Sequence, residues 1–110
     1  MEKINYTELK NLKDRGENIA LINVLLPEDF KKGNIPGSVN IPGNSPDFES
    51  RVEKLIGGKD KPVIVYCASF ECPASKNAAE KLEQAGFTKV KCYEGGTKEW
   101  QEKSGSKQAA

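Results

Sequence analysis

The 110-residue chain has no histidine. That absence removes Ser-His-Asp and Cys-His activation of a nucleophile, and every metal site that needs an imidazole. Cysteine is scarce too. Cys67, Cys72 and Cys92 are too few and wrongly spaced for a four-thiolate zinc site, and their odd number argues against a secreted disulfide framework. A charge bias is also lacking: 17 Lys and Arg stand against 16 Asp and Glu, interleaved to a net +1. There is thus no electrostatic ground for a nucleic acid or a membrane as partner. No apolar run reaches transmembrane length, and Met1-Glu-Lys-Ile-Asn5 lacks the apolar segment of a signal peptide. The expectation is a cytoplasmic protein, or a periplasmic one if a leader has been removed. The length suits one domain with a single core. Thiol chemistry is what remains.

The most informative stretch is Pro62-Val-Ile-Val-Tyr66, a β-branched apolar run that reads as a buried strand and stops at Cys67. From about Ala74 the spacing of Ala78, Ala79 and Leu82 predicts a helix with one apolar face, stopped at Ala85-Gly86. Cys67 therefore lies at the C-terminal end of a central strand, in a loop feeding a helix. Ligands bind at that edge of open α/β sheets, and unpaired amides at a helix start favour a thiolate. Position alone also fits a buried, packed cysteine.

The rest of the chain alternates. Asn5-Tyr-Thr-Glu8 predicts a capping box opening a helix with Leu9 and Leu12 on its buried face, ended near Gly16. Ile19 to Val24 reads as a strand covered on both sides, and Pro27 to Phe30 as a short helical turn. A turn-rich connector from Gly33 to Gly37 leads to a short strand, Ser38 to Ile41. Asp47 to Ile56 reads as a helix with Phe48, Val52, Leu55 and Ile56 on one face, stopped by Gly57-Gly58. Lys89 to Tyr93 is an alternating strand. Glu94-Gly-Gly96 turns the chain, and Thr97 is placed to cap a last helix carrying Trp100. Ser104 to Ala110 reads as a disordered tail. This order predicts a small α/β domain over 1–103: a parallel sheet between two helix layers, with helices on both faces.

Four segments together resemble the rhodanese-like domain family, over nearly the whole chain. They are Leu21-Ile-Asn-Val24 with Pro27-Glu-Asp-Phe30; Gly33-Asn-Ile-Pro-Gly-Ser-Val-Asn-Ile-Pro42; Val63-Ile-Val-Tyr-Cys67; and Ala78-Ala79, Leu82, Gly86-Phe87, Val90, Glu94-Gly-Gly96 and Trp100. The resemblance implies a sulfurtransferase. Cys67 would take sulfane sulfur from a donor as a persulfide and pass it to a thiol or other nucleophile. The loop amides of Ala68, Ser69, Phe70, Glu71 and Cys72 would form the anion site that stabilises the sulfur without a histidine. It also implies a small sulfur donor or acceptor, such as thiosulfate or glutathione persulfide, or a thioredoxin-like protein thiol. Neither a metal nor an organic cofactor is implied.

The departures from the family pattern are specific. Asn23, Leu25 and Asn34 stand where aspartate, arginine and histidine are common. The usual loop has an arginine; Cys67-Ala-Ser-Phe-Glu-Cys-Pro-Ala-Ser75 has none, is about two residues longer, and carries the negative Glu71. A dianion would lack its bidentate guanidinium clamp, so weak thiosulfate turnover is expected, and phosphoryl chemistry still less. Cys72 is placed to act as a resolving thiol, or to form with Cys67 a thiol–disulfide switch in a redox-sensing module without sulfur transfer. It is also placed simply to pack. Ser69 and Ser75 are candidate donors to a sulfur anion and equally ordinary loop and cap serines. Phe70 is open to two readings, an exposed apolar wall or an inward-packed ring. Cys92 reads as inert, Lys76 as solvated, Trp100 and Phe30 as packing residues, and Asn23 and Asn34 as partners of local backbone groups.

Overall fold

The computed structural model describes residues 1–105. Strand β1 (Glu2–Lys3) is followed by α1 (Tyr6–Asp14), β2 (Ala20–Asn23), α2 (Pro27–Lys32) and β3 (Val39–Asn40). Then come α3 (Phe48–Ile56), β4 (Val63–Tyr66), α4 (Ala74–Gln84), β5 (Val90–Tyr93) and α5 (Gly96–Ser104). The five strands form one sheet in the order β1-β5-β4-β2-β3, with every pairing parallel. No helix among the described residues is long and apolar enough to cross a membrane.

Side-chain alternation decides how the central strand is used. All four residues of β4 are buried. Val63 and Val65 join Phe48 and Val52 of α3 and Ala78, Ala79 and Leu82 of α4 in one core cluster. Ile64 and Tyr66 join Leu9 of α1 and Trp100 of α5 in a second cluster on the other face. A strand with both faces covered needs a continuous apolar run, which is what Val-Ile-Val-Tyr supplies. Each such aliphatic side chain withdrawn from water contributes about 1.5–3 kcal/mol. Cys67 keeps the parity of Val63 and Val65 and belongs to the α3/α4 cluster, as does Cys92, the β5 residue paired with Val65.

The predicted caps and stops account for most helix boundaries. In α1 the Glu8 amide donates to Asn5 Oδ1 at 2.8 Å, and the Asn5 amide donates to Glu8 Oε1 at 3.0 Å. Gly57 ends α3 with φ 87°, in the left-handed region that glycine tolerates best. Tyr66 anchors the connector before β3. Its hydroxyl accepts from the Ile35 amide at 3.0 Å and lies 2.7 Å from Ser38 Oγ.

Three expectations need correction. The two-residue strand β1 carries no alternation and two charges, so nothing local announced it; the ladder offered by β5 creates it. Leu55 is 46% exposed, because it faces the sheet edge where β3 is only two residues long. Thr97 does not cap α5: Gly95 holds that position, and Thr97 sits inside the first turn. Of the expected tail, Ser104 closes α5, and residues 106–110 lie outside the described residues.

Candidate active site

The loop from Cys67 to Pro73 leaves the C-terminal edge of β4 and enters α4 at Ala74. Its start is gripped from α5. The Thr97 amide donates to the Cys67 carbonyl at 3.0 Å, and the Lys98 amide to the Ala68 carbonyl at 2.9 Å. Amides of a helix first turn have no partner within their own helix, so two loop carbonyls satisfy them here. Such close approach demands Gly96. Its φ is +66°, and a Cβ there would collide with the Cys67 carbonyl oxygen and lie 2.7 Å from the Ala68 carbonyl carbon.

Cys67 is fully buried. Its Sγ has two acceptors within reach, the Cys72 carbonyl at 3.3 Å and Ser75 Oγ at 3.4 Å. Cys92 Sγ lies 3.3 Å from the same Ser75 Oγ. Ser75, at the start of α4, thus bridges a thiol on β5 and the thiol that follows β4. Cys92 was expected to be inert; it is buried, but it shares a hydroxyl with Cys67. The signal was in the sequence: Cys67 and Cys92 keep the parity of Val65 and Val90 on two adjacent strands.

The two loop thiols have opposite electrostatics. Burial pushes the Cys67 thiol up; its hydrogen bond with the Cys72 side chain adds to this, and Ser75 pulls part of it back. Burial would also push Cys72 up, but the Cys67 side chain and the amides of Ala68 and Ala74 outweigh it, so Cys72 lies below the ordinary cysteine value. Of the pair, Cys72 is the thiol that ionises more readily.

The anion site differs from the expected one. The Cys72 amide turns back to Ser69 O at 3.1 Å, and the Glu71 amide faces Ser69 Oγ at 3.4 Å. The longer loop closes this turn on itself and brings a carbonyl, rather than an amide, against Cys67. The backbone at Ala68 and Ala74 lowers the Cys72 thiol, and Ser75 that of Cys67. Phe70 projects outward, 66% exposed, which resolves its two readings. Glu71 and Lys76 are exposed and Ser69 is half-buried. Asn23 Oδ1 accepts from the Leu25 amide at 2.9 Å, and Asn34 Nδ2 donates to Phe30 O at 2.9 Å, both as expected. Two open cavities flank the loop. One of about 380 Å³ is lined by Val24, Leu25, Ala74, Asn77 and Lys81, and one of about 450 Å³ by Leu25, Lys32, Ala68, Lys98 and Gln101.

A parallel three-layer α/β sheet with a thiol-bearing loop at the C-terminal edge of its central strand defines the class. Within that class the rhodanese-like domain model matches residues 5–103, and the chain belongs to the rhodanese-like domain family. It is 30% identical over 99 residues to an HTH-type transcriptional regulator of Mycobacterium tuberculosis, a match covering 90% of this chain and 41% of that protein. It is 32% identical over 107 residues to the mouse thiosulfate sulfurtransferase/rhodanese-like domain-containing protein 3, covering 88% of this chain and 66% of the relative. The crystal structure of the BH2092 protein from Bacillus halodurans superposes with a TM-score of 0.80 at 30% identity, over 94% of this chain and 73% of that one. The chain spans less than two thirds of the length of both relatives.

Proposed function

We propose that this domain is a sulfurtransferase that holds sulfane sulfur as a persulfide on Cys67 and passes it to a thiol or other nucleophilic acceptor. The observation that carries this reading is the loop itself. A thiol at the C-terminal edge of β4 lies 3.3 Å from the carbonyl of Cys72, which carries a second thiol, and backbone groups of the loop and helix start favour the charged form of both sulfurs. Fixed N–H dipoles stabilise a thiolate or persulfide anion without a general base. The mouse relative is likewise named for a thiosulfate sulfurtransferase/rhodanese-like domain.

The donor class follows from what faces the loop. The chain's two arginines, Arg15 and Arg51, lie on other elements, Arg15 closing α1 and Arg51 inside α3. Thiosulfate brings two charges next to its sulfane sulfur and finds only amides in the loop to meet them, with no guanidinium fork. A low-molecular-weight persulfide such as glutathione persulfide, or the persulfide of a thioredoxin-like protein, reacts at a sulfur that needs less charge neutralisation. Phe70, exposed at the loop tip, offers such a partner an apolar contact.

The test is the intact mass of reduced protein exposed in parallel to thiosulfate and to glutathione persulfide. Gain of one sulfur, faster from the persulfide and removed by cyanide or thiol, is expected. A second reading rests on the approach of Cys67 Sγ to Cys72, whose carbonyl lies 3.3 Å away: a thiol–disulfide switch. Loss of two hydrogens with no sulfur gained from either donor would establish the switch and end the transferase reading.

A further inference from the structure

Resting on that reading, we infer that Cys72 is the thiol that first takes sulfane sulfur from the donor and then hands it inward to Cys67. The difference in access between the two sulfurs carries the inference. Substitution at sulfur needs the nucleophile, the attacked sulfur and the leaving sulfur close to a line. Cys67 is 0% exposed, and its sulfur is engaged by the Cys72 carbonyl and Ser75 Oγ. A donor in solvent has no line to it. Cys72 is half-buried, five residues further along the loop, with its carbonyl 3.3 Å from the Cys67 sulfur.

The polar groups are divided in the same way. Thiolate is the reacting form of cysteine. A carbonyl oxygen, which repels a thiolate, lies 3.3 Å from the Cys67 sulfur and Ser75 only partly offsets the rise there, whereas the backbone at Ala68 and Ala74 lowers the Cys72 thiol. Cys72 is thus the more readily ionised thiol, while the Cys67 Sγ donates to the Cys72 carbonyl at 3.3 Å.

The sulfur then moves in two balanced steps. The Cys72 thiolate attacks the outer sulfur of R–S–SH; the new S–S bond forms as the old one breaks, leaving Cys72–S–SH and R–S⁻, which takes a proton from water. The Cys67 sulfur next attacks the outer sulfur on Cys72, giving Cys67–S–SH, while the proton of Cys67 passes to the departing Cys72 sulfur and from it to the hydroxide left by the first step, which restores the Cys72 thiolate. The sum is R–S–SH plus Cys67–SH giving R–SH plus Cys67–S–SH, with no external oxidant or reductant. The persulfide ends in the buried position, where bulk thiols do not reach it, and Cys72 regulates its exit by the reverse step.

Glu71 lies between the two cysteines, so glutamyl endopeptidase separates them into different peptides. Reduced wild-type protein is mixed with less than one equivalent of glutathione persulfide, quenched at successive times with an alkylating agent, digested and weighed. The extra sulfur is expected first on the Cys72 peptide and later on the Cys67 peptide. Cys67→Ser should load and keep sulfur on Cys72, whereas Cys72→Ser should load more slowly by about tenfold or more for want of the accessible thiolate. Sulfur arriving first on the Cys67 peptide, or Cys72→Ser loading as fast as wild type, overturns the relay and leaves the transferase reading standing. No sulfur on any thiol overturns both. The wild-type time course needs no variant, so misfolding of either serine variant does not blunt the test.

Discussion

Tyr66 and Cys67 are neighbours in the chain, yet they face opposite sides of the sheet. On the side covered by α1 and α5 the buried polar groups are phenols with fixed partners. Tyr66 holds Ile35 and Ser38, and Tyr93 donates to Glu99 Oε1 at 2.8 Å. Burial pushes both phenols above their ordinary value, and Glu99 adds to the rise at Tyr93, so they stay protonated at any working pH. On the side covered by α3 and α4 the polar groups are thiols grouped around one serine hydroxyl. A thiol's ordinary value of about 8.5 lies close enough to neutrality for local dipoles to choose its charge. One residue of alternation separates anchoring from reactivity.

That contrast can be broken hardest at Gly96, where the anchoring elements meet the reactive loop. Gly96→Ala combines a positive φ with a backbone collision, and should cost about 3 kcal/mol or more. Urea unfolding checks the loss, and sulfur loading should fall with it; a variant as stable as wild type would show that α5 does not grip the loop tightly. Tyr66→Phe comes next. It leaves the buried Ile35 amide without its acceptor, at about 1–3 kcal/mol. Sulfur gained per folded molecule should not change, and a fall would mean that the two sides are not separable. Cys92→Ala should cost about 1 kcal/mol through the small void it leaves. Because Ser75 loses its second thiol partner, the alkylation profile of the Cys67 region should shift while Cys92→Ser keeps it nearer wild type.

The smallest effect is read on the pH axis and sharpens the comparison within the loop. Alkylation rate follows the thiolate fraction, which is one half where pH equals the pKa. A lowered pKa therefore moves the rate curve to lower pH. Cys72 should reach half its maximal rate at a lower pH than Cys67, with an unperturbed cysteine between them. Coincident curves, measured on the two separated peptides, would remove the asymmetry.

The sheet was legible because burial on both faces writes itself as Val63-Ile-Val-Tyr66, and because Gly57-Gly58 and Gly86 punctuate the helices. β1 was not legible: Glu2 and Lys3 owe their conformation to β5, almost ninety residues away. Cys67 could be singled out from its place at a strand end. The orientation of the loop amides could not, since a turn from Ser69 to Cys72 reverses them and no local residue type dictates that turn. The hold of Thr97 and Lys98 on the loop is likewise a long-range pairing. Only the neighbouring glycine hints that backbone approaches backbone there.

That hold also puts the molecule's competence in a temporal order. All three thiols are present once residue 92 has been added, but the carbonyls that shape their loop gain amide partners only with residues 97 and 98. A growing or truncated chain that stops before residue 96 would carry Cys67 and Cys72 in a loop without a mould. Such a chain would behave as a set of ordinary thiols, open to random oxidation. The turn into α5 is therefore the moment at which the loop carrying Cys67 and Cys72 acquires its fixed shape.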